Sequence, residues 1–108
     1  MYQPDNWVIL KINAKNETGL EVFYKVLAGW SGGYLDGDSW RMNSGITEVI
    51  EEGDFYLFEG SSGSVYRCHK ENEAVRMNTF SILNQLNEHY GDRIKQIDYD
   101  DFIKEFKN

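Results

Sequence analysis

The segment that most constrains the fold runs from Ile46 to Lys70 and reads ITEVIEEGDFYLFEGSSGSVYRCHK. With a period of two, Ile46, Glu48 and Ile50 alternate with Thr47, Val49 and Glu51, and Ser64–His69 alternates again, with the aromatic run Phe55–Phe58 between the two stretches. A period of two is typical of strands, and aromatic residues suit a pleated surface. The EGD and SSG junctions supply residues that favour turns. The segment therefore predicts an antiparallel meander of three strands.

Strands are also predicted before this meander. After a short polar segment, Trp7–Asn13 is predicted as the first strand, with Val8, Leu10 and Ile12 on one face. Leu20–Trp30 follows and is apolar at almost every position. A short apolar run is also compatible with a helix, but β-branched and aromatic residues favour a strand here, paired with the first as a hairpin. Trp40–Met42 is predicted to begin another short strand.

One long helix is predicted over Asn72–Tyr90. The residues that recur at the helical period on one face are Val75, Thr79, Ile82, Leu83, Leu86 and Tyr90. Asn72 is the expected N-cap and Gly91 the expected stop. Arg93–Tyr99 is predicted as an edge strand, and Asp100 or Asp101 as the cap of a short C-terminal helix.

These elements predict the α+β class. We expect a strongly bent antiparallel meander of about five to six strands, with the long helix packed on one face. The chain has 108 residues, which predicts a single domain spanning 1–108.

Charge and composition exclude several classes of protein. The net charge of −7, from 18 acidic and 11 basic residues, argues against direct binding to nucleic acid or to an anionic membrane. No apolar run approaches the roughly 20 residues that span a bilayer, and the start of the chain lacks the pattern of a signal peptide. One cysteine excludes an intramolecular disulfide. A cytoplasmic protein is expected.

The predicted binding stretch is Trp30–Arg41, WSGGYLDGDSWR. Rigid aromatic side chains provide contact area, and glycine lets a ligand approach the backbone. The alternative is that the tryptophans are core residues at strand ends and the middle is a solvated loop. The candidate binding residues are Trp30, Tyr34, Asp36, Asp38, Trp40 and Arg41.

No metal or cofactor site is predicted. A calcium loop starting at Asp36 requires glycine at its sixth position and glutamate at its twelfth, but Arg41 and Thr47 occupy them. The two Ser-Gly turns lack the sequence of a phosphate-binding loop. Cys68 and His69 are neighbours on a predicted strand, so their side chains point to opposite faces.

The charged residues allow two other hypotheses about function. Arg41 and Arg67 are candidates to bind the phosphates of a nucleotide-like ligand held at an oligomer interface. Acidic residues cluster between Met42 and Tyr66, which is compatible with a mimic of nucleic acid. Duplex DNA carries roughly 20 charges per turn, however, so a solvated acidic face is the better account of this band.

A resemblance is carried by WVILKI, YKVLAGWSGGYLDGDSWRMNSGITEV and SGSVYRCHK. Across residues 7–70 the chain resembles small uncharacterised proteins encoded by tailed bacteriophages. The resemblance implies a phage gene that acts inside a bacterium, and it assigns no site residues.

The expected function is that of a non-enzymatic binding protein. A host protein is the expected partner, and the aromatic meander makes a homodimer plausible. A hydrolase is the enzymatic alternative, but the sequence shows no recognisable set of nucleophile, base and orienting residue.

Overall fold

A computed structural model describes residues 1–32 and 39–107 of the chain. The strands are β1 (Asn6–Asn16), β2 (Gly19–Trp30), β3 (Ser39–Met42), β4 (Ile46–Glu52), β5 (Phe55–Gly60), β6 (Val65–His69) and β7 (Ile94–Ile97). The helices are α1 (Met77–Tyr90) and α2 (Tyr99–Phe106), with short 3-10 turns at Lys70–Asn72 and Gly91–Arg93. The named strands pair antiparallel, which confirms the α+β class.

The strands form two sheets rather than one bent meander. The predicted meander is confirmed as a three-stranded sheet in the order β4-β5-β6. The other four strands form a separate sheet in the order β3-β2-β1-β7, with β1 and β2 at its centre. Gly45 lies in the segment that connects β3 to β4 and has a φ of +136°, a conformation that favours glycine. The chain can therefore leave β3 and enter β4 in another layer.

A bulge in β4 changes which side chains face the core. The alternating pattern places Ile46 and Ile50 on one face, but Ile46 and Val49 are the buried pair and Ile50 is exposed. The register shifts between Ile46 and Glu48, which leaves Thr47 without a direct cross-strand partner. An extra residue of this kind reverses the faces beyond it.

The main core lies between the two sheets and is closed at one end by α2. Phe102 of α2 is fully buried, and its ring centroid lies 5.2 Å from that of Tyr24 and 6.1 Å from that of Phe58. The buried residues of this core are Trp7, Ile9, Val26, Ala28, Ile46, Val49, Phe58, Tyr66, Cys68, Tyr99 and Phe102. The short C-terminal helix is thus an integral part of the core.

A second core lies on the opposite face of the four-stranded sheet, where α1 packs. Its buried residues are Val8, Leu10, Leu27, Leu83 and Ile94. The long helix therefore packs on one face of the four-stranded sheet and does not cover the meander at Ile46–His69. The cause is that Val8 and Leu10 make the outer face of β1 as apolar as its inner face.

The start of α1 also differs from the prediction. Asn72 belongs to a 3-10 turn, and the N-cap of α1 is Arg76. The backbone N–H of Ala74 donates to the carbonyl oxygen of Trp7 at 3.0 Å, which holds this part of the chain extended beside β1. The predicted stop at Gly91 is confirmed, with a φ of +57°.

The start of α2 is fixed by two carboxylates. Asp98 is the N-cap, and its side chain accepts from the N–H of Asp101 at 2.9 Å; α2 thus begins slightly before the predicted cap at Asp100 or Asp101. Glu73 accepts from the N–H of Tyr99 at 2.8 Å. Burial raises the pKa of the Glu73 carboxyl above its ordinary value, although the hydrogen bond from Tyr99 acts in the opposite direction.

We expect Phe102→Ala to lower the free energy of unfolding by about 3–5 kcal/mol, because it leaves a cavity between the sheets and α2. Phe80→Ala is the matched control, since the Phe80 side chain is 56% exposed. It should change the free energy of unfolding by about 0.5 kcal/mol or less. Urea unfolding measures both variants, and equal losses would contradict the packing described here.

Glu73→Gln tests the buried carboxyl because glutamine keeps the acceptor and removes the charge. A raised pKa means that the folded protein binds the proton more tightly than the unfolded chain. The stability of the wild type relative to Glu73→Gln should therefore rise as the pH falls from 7 towards the ordinary value of 4.5. Urea unfolding across this range measures the difference, and a flat or opposite trend would contradict it.

Candidate functional site

The predicted binding residues are divided between the end of β2 and the short strand β3. Trp30 ends β2, and Trp40 and Arg41 lie in β3. In the register of the two strands, Trp40 is opposite Gly29, and Arg41 is opposite Ala28. The predicted residues Tyr34, Asp36 and Asp38 lie outside the described residues.

The two described tryptophans of the predicted stretch lie on opposite faces of the sheet. Directly paired residues share a face, and faces alternate along a strand. Leu27 faces α1 and Ala28 faces the second sheet, so Trp40 projects to the α1 side. Trp30 and Arg41 project to the other side. Trp40, which is 47% exposed, is therefore separated from Trp30 by the sheet itself.

The N-terminal segment contacts Trp30 and Arg41. From the sequence, this segment was expected only to be a short polar stretch before the first strand. Tyr2 pairs with β6 through two backbone hydrogen bonds, of 2.8 Å to Val65 and 2.7 Å from Arg67. The Tyr2 ring lies 6.3 Å from the ring of Trp30, and the Arg41 guanidinium lies 4.5 Å from the Tyr2 centroid. These contacts give Trp30 and Arg41 a structural role.

Arg41 and Arg67 have different partners. The Arg67 guanidinium lies 3.4 Å from the ring centroid of Phe55 and donates to the Gln3 side-chain oxygen at 3.1 Å. Tyr66 is buried between the sheets, so Arg67, one residue later, projects to the outer face of β6. The described contacts do not direct the two arginines at a common ligand position.

The Cys68–His69 pair is divided as the sequence predicts. Cys68 is buried in the main core, and burial raises the pKa of its thiol strongly, which makes it a poor nucleophile. The His69 ring packs on Phe55, and its Nδ1 accepts from the N–H of Glu71 at 3.1 Å. Within residues 1–32 and 39–107, no group of three acidic, histidine or cysteine side chains is arranged to hold a metal.

A surface that sequence reasoning missed is the outer edge of β2. The strand pairs with β1 along its whole length, but β3 covers its other edge only from Leu27 to Trp30. Asn43 ends this pairing. Its side-chain oxygen accepts from the N–H of Val26 at 2.8 Å, and its own N–H donates to the Val26 carbonyl at 3.1 Å. We call residues Gly19–Lys25 of this strand the open edge.

The direction of the backbone groups along the open edge follows from Val26. Both of its backbone groups point away from β1, towards Asn43. Because the direction alternates along an antiparallel strand, Leu20, Val22 and Tyr24 also point their N–H and C=O groups away from β1. No strand of the described chain pairs with them.

Two grooves flank the open edge, one on each face of the sheet. The helix-side groove, about 420 Å³, lies between the sheet and the C-terminal half of α1, with Ile12, Leu86 and Tyr90 in its wall. The sheet-side groove, about 350 Å³, lies towards Gly45, Thr47 and Phe106. Phe23 and Ser44 line both grooves, which places the open edge between them.

A signal for the open edge was present in the sequence. The predicted strand Leu20–Trp30 is far longer than the next predicted strand along the chain, Trp40–Met42. A short partner cannot cover a long edge, and the uncovered part, LEVFY, is mostly apolar. In the structure the side chains of Leu20, Val22 and Phe23 are 77%, 44% and 38% exposed.

Comparison with known proteins identifies no relative of this chain: no family model matches it, and neither curated proteins nor solved structures contain a significant match. Among the described residues, no helix combines the length and apolar character needed to cross a membrane.

Tryptophan fluorescence tests the division of the predicted site. Trp7 is fully buried and Trp40 is 47% exposed. Trp40→Phe should therefore shift the emission maximum to shorter wavelength and reduce quenching by acrylamide. Trp30→Phe is the control, because the Trp30 indole N–H donates to the carbonyl of Gln3 at 3.0 Å and its ring packs on Tyr2. Trp30→Phe should reduce quenching less; the reverse order would contradict the register of β2 and β3.

Proposed function

We propose that this protein is a small non-enzymatic binding module that takes an extended segment of a partner protein as an added strand at the open edge. The observation that supports this most is the combination at Leu20, Val22 and Tyr24. Their backbone groups face outward, and the apolar side chains of Leu20, Val22 and the intervening Phe23 are exposed. Strand addition satisfies such an edge with main-chain hydrogen bonds and uses side-chain contacts for specificity.

The two grooves support the same mode of binding. Side chains of an extended segment alternate between the two faces of a sheet. A strand added beside Val22 would place one set of side chains towards the helix-side groove and the other towards the sheet-side groove. Both grooves lie within the range of 300–1,000 Å³ that is usual for ligand sites.

The other edge of the same hairpin is less suited to this role. Beyond Ile12, β1 has no partner from β7, so within residues 1–32 and 39–107 its edge is also unpaired at Asn13 and Lys15. Lysine on an edge strand discourages pairing with another chain. The edge of β2 carries Leu20 and Val22 at the corresponding positions, which favours it as the binding edge.

The partner that we propose is a protein of the bacterial host, in keeping with the resemblance to phage proteins. Trp40 and the stretch around Tyr34 remain part of the proposal as a second contact surface, since Trp40 presents an exposed aromatic ring on the α1 side.

Val22→Pro tests the open edge. Proline removes the outward N–H of Val22, while the hydrogen bonds to β1 come from its neighbours. Asn13→Pro is the matched control, because Asn13 is the cross-strand partner of Val22 and lies on the opposite edge. A host protein retained from bacterial lysate by the wild type should be lost with Val22→Pro and kept with Asn13→Pro.

A photo-crosslinking amino acid then locates the contact. Placed at Leu20, it should crosslink the retained protein through an extended segment identified by mass spectrometry. Placed at Ile50, which is also exposed but lies in the other sheet, it should not. Undiminished retention by Val22→Pro, or crosslinks from Ile50 alone, would contradict strand addition at this edge.

A further inference from the structure

We propose that the helix-side groove also binds an amphipathic organic anion, a molecule with an apolar chain or ring and one carboxylate or sulfonate. This site does not depend on strand addition. Its walls belong largely to β1, α1 and the segment that follows α1, and its charged residues are Lys25 and Arg93.

The groove is apolar along most of its wall. Ile12 and Ala14 of β1 form one side, and Leu86 and Tyr90 of α1 form the other. Ile94 is part of the second core, which continues into the groove. A volume of about 420 Å³ admits a flexible chain of small-molecule size. Burial of an apolar chain against these side chains supplies the non-directional part of binding.

The charge of the groove is opposite to that of the whole protein. The chain carries 18 acidic residues and a net charge of −7, yet the described residues that line the groove include Lys25 and Arg93 and no carboxylate. The ion pairs among the described residues are Lys11–Glu105 and Lys70–Glu51. Neither of these two ion pairs includes Lys25 or Arg93.

Arg93 is exposed, and two contacts direct its side chain along the end of α1. Its Nε donates a long hydrogen bond of 3.4 Å to the carbonyl of Tyr90, and its guanidinium carbon lies 5.5 Å from the Tyr90 ring centroid. The side chain thus lies along the end of α1 at the groove. A guanidinium held in this way retains N–H donors for a carboxylate, and such charge-assisted hydrogen bonds are strong.

Two cations beside an apolar wall select for one class of ligand. A neutral chain of equal length gains the apolar contacts but leaves the cations without an anion. A cationic amphiphile meets repulsion from Lys25 and Arg93. The groove should therefore rank ligands of equal chain length in the order anion, neutral molecule, cation.

Decanoate and decyltrimethylammonium, both used below the concentrations at which they form micelles, test this order. In NMR titrations of the full chain, decanoate should bind saturably, with the largest amide shifts at Ile12, Leu86 and Ile94. Decyltrimethylammonium should bind at least about tenfold more weakly. Decanoate binding that does not saturate, or equal binding of the cation, would overturn the proposal.

Three variants and a matched control locate the site. Arg93→Gln and Lys25→Gln should each weaken decanoate binding about five- to tenfold. Lys15→Gln removes a positive charge from the same hairpin outside the groove and is the matched control. Ala14→Phe should fill the groove and abolish binding. Equal effects of Arg93→Gln and Lys15→Gln would overturn the proposal, as would full binding by Ala14→Phe.

Val22→Pro separates the two sites. It should leave decanoate binding unchanged, because Val22 does not line the helix-side groove.

Discussion

The rest of the structure depends on the pairing of β1 with β2. The register runs without interruption from Asn6 opposite Gly29 to Asn16 opposite Gly19. Residues Trp7–Leu10 are fully buried, with alternate side chains in the two cores. One half of the ladder is therefore covered on both faces. The other half extends beyond the cores, and this asymmetry exposes the open edge and leaves the grooves beside it.

Asn43 decides where the covered half ends. Its side chain and backbone N–H occupy both outward groups of Val26, as a further strand residue would, while the chain turns away at Gly45. This arrangement has a cost, because Asn43 is buried and its Nδ2 has no hydrogen-bond partner among the described residues. Because Asn43 takes the place of a further paired strand residue at Val26, the chain can turn into the second sheet here. The edge of β2 from Gly19 to Lys25 is then left without a partner strand among the described residues.

The local elements could be predicted from the sequence, and the long-range arrangement could not. The meander at Ile46–His69 and the hairpin of β1 and β2 follow from alternation and turn residues, which are local signals. The pairing of Ile94–Ile97 with β1 joins distant parts of the chain, and no local pattern encodes it. The bulge at Thr47 has the same origin, since the register is set by contacts with β5.

The predicted binding residues show the same limit. Their composition was typical of a binding loop, but the register of four residue pairs decides that Trp30 and Trp40 face opposite ways. The role of Tyr2 was hidden because a single residue that pairs with β6 has no periodicity to detect. The difference in length between the predicted strands Leu20–Trp30 and Trp40–Met42 was visible in the sequence, and it indicated the open edge.

Amide hydrogen exchange in β2, followed by NMR on dilute protein, tests the open edge most directly. If the edge is open, the backbone N–H groups of Glu21, Phe23 and Lys25 donate to β1. The backbone N–H groups of Leu20, Val22 and Tyr24 point to water. The account predicts alternating slow and fast exchange along this segment, with Val22 and Tyr24 much faster than Phe23 and Lys25. Uniform protection from Leu20 to Lys25 would show that the edge is already covered and would contradict the account.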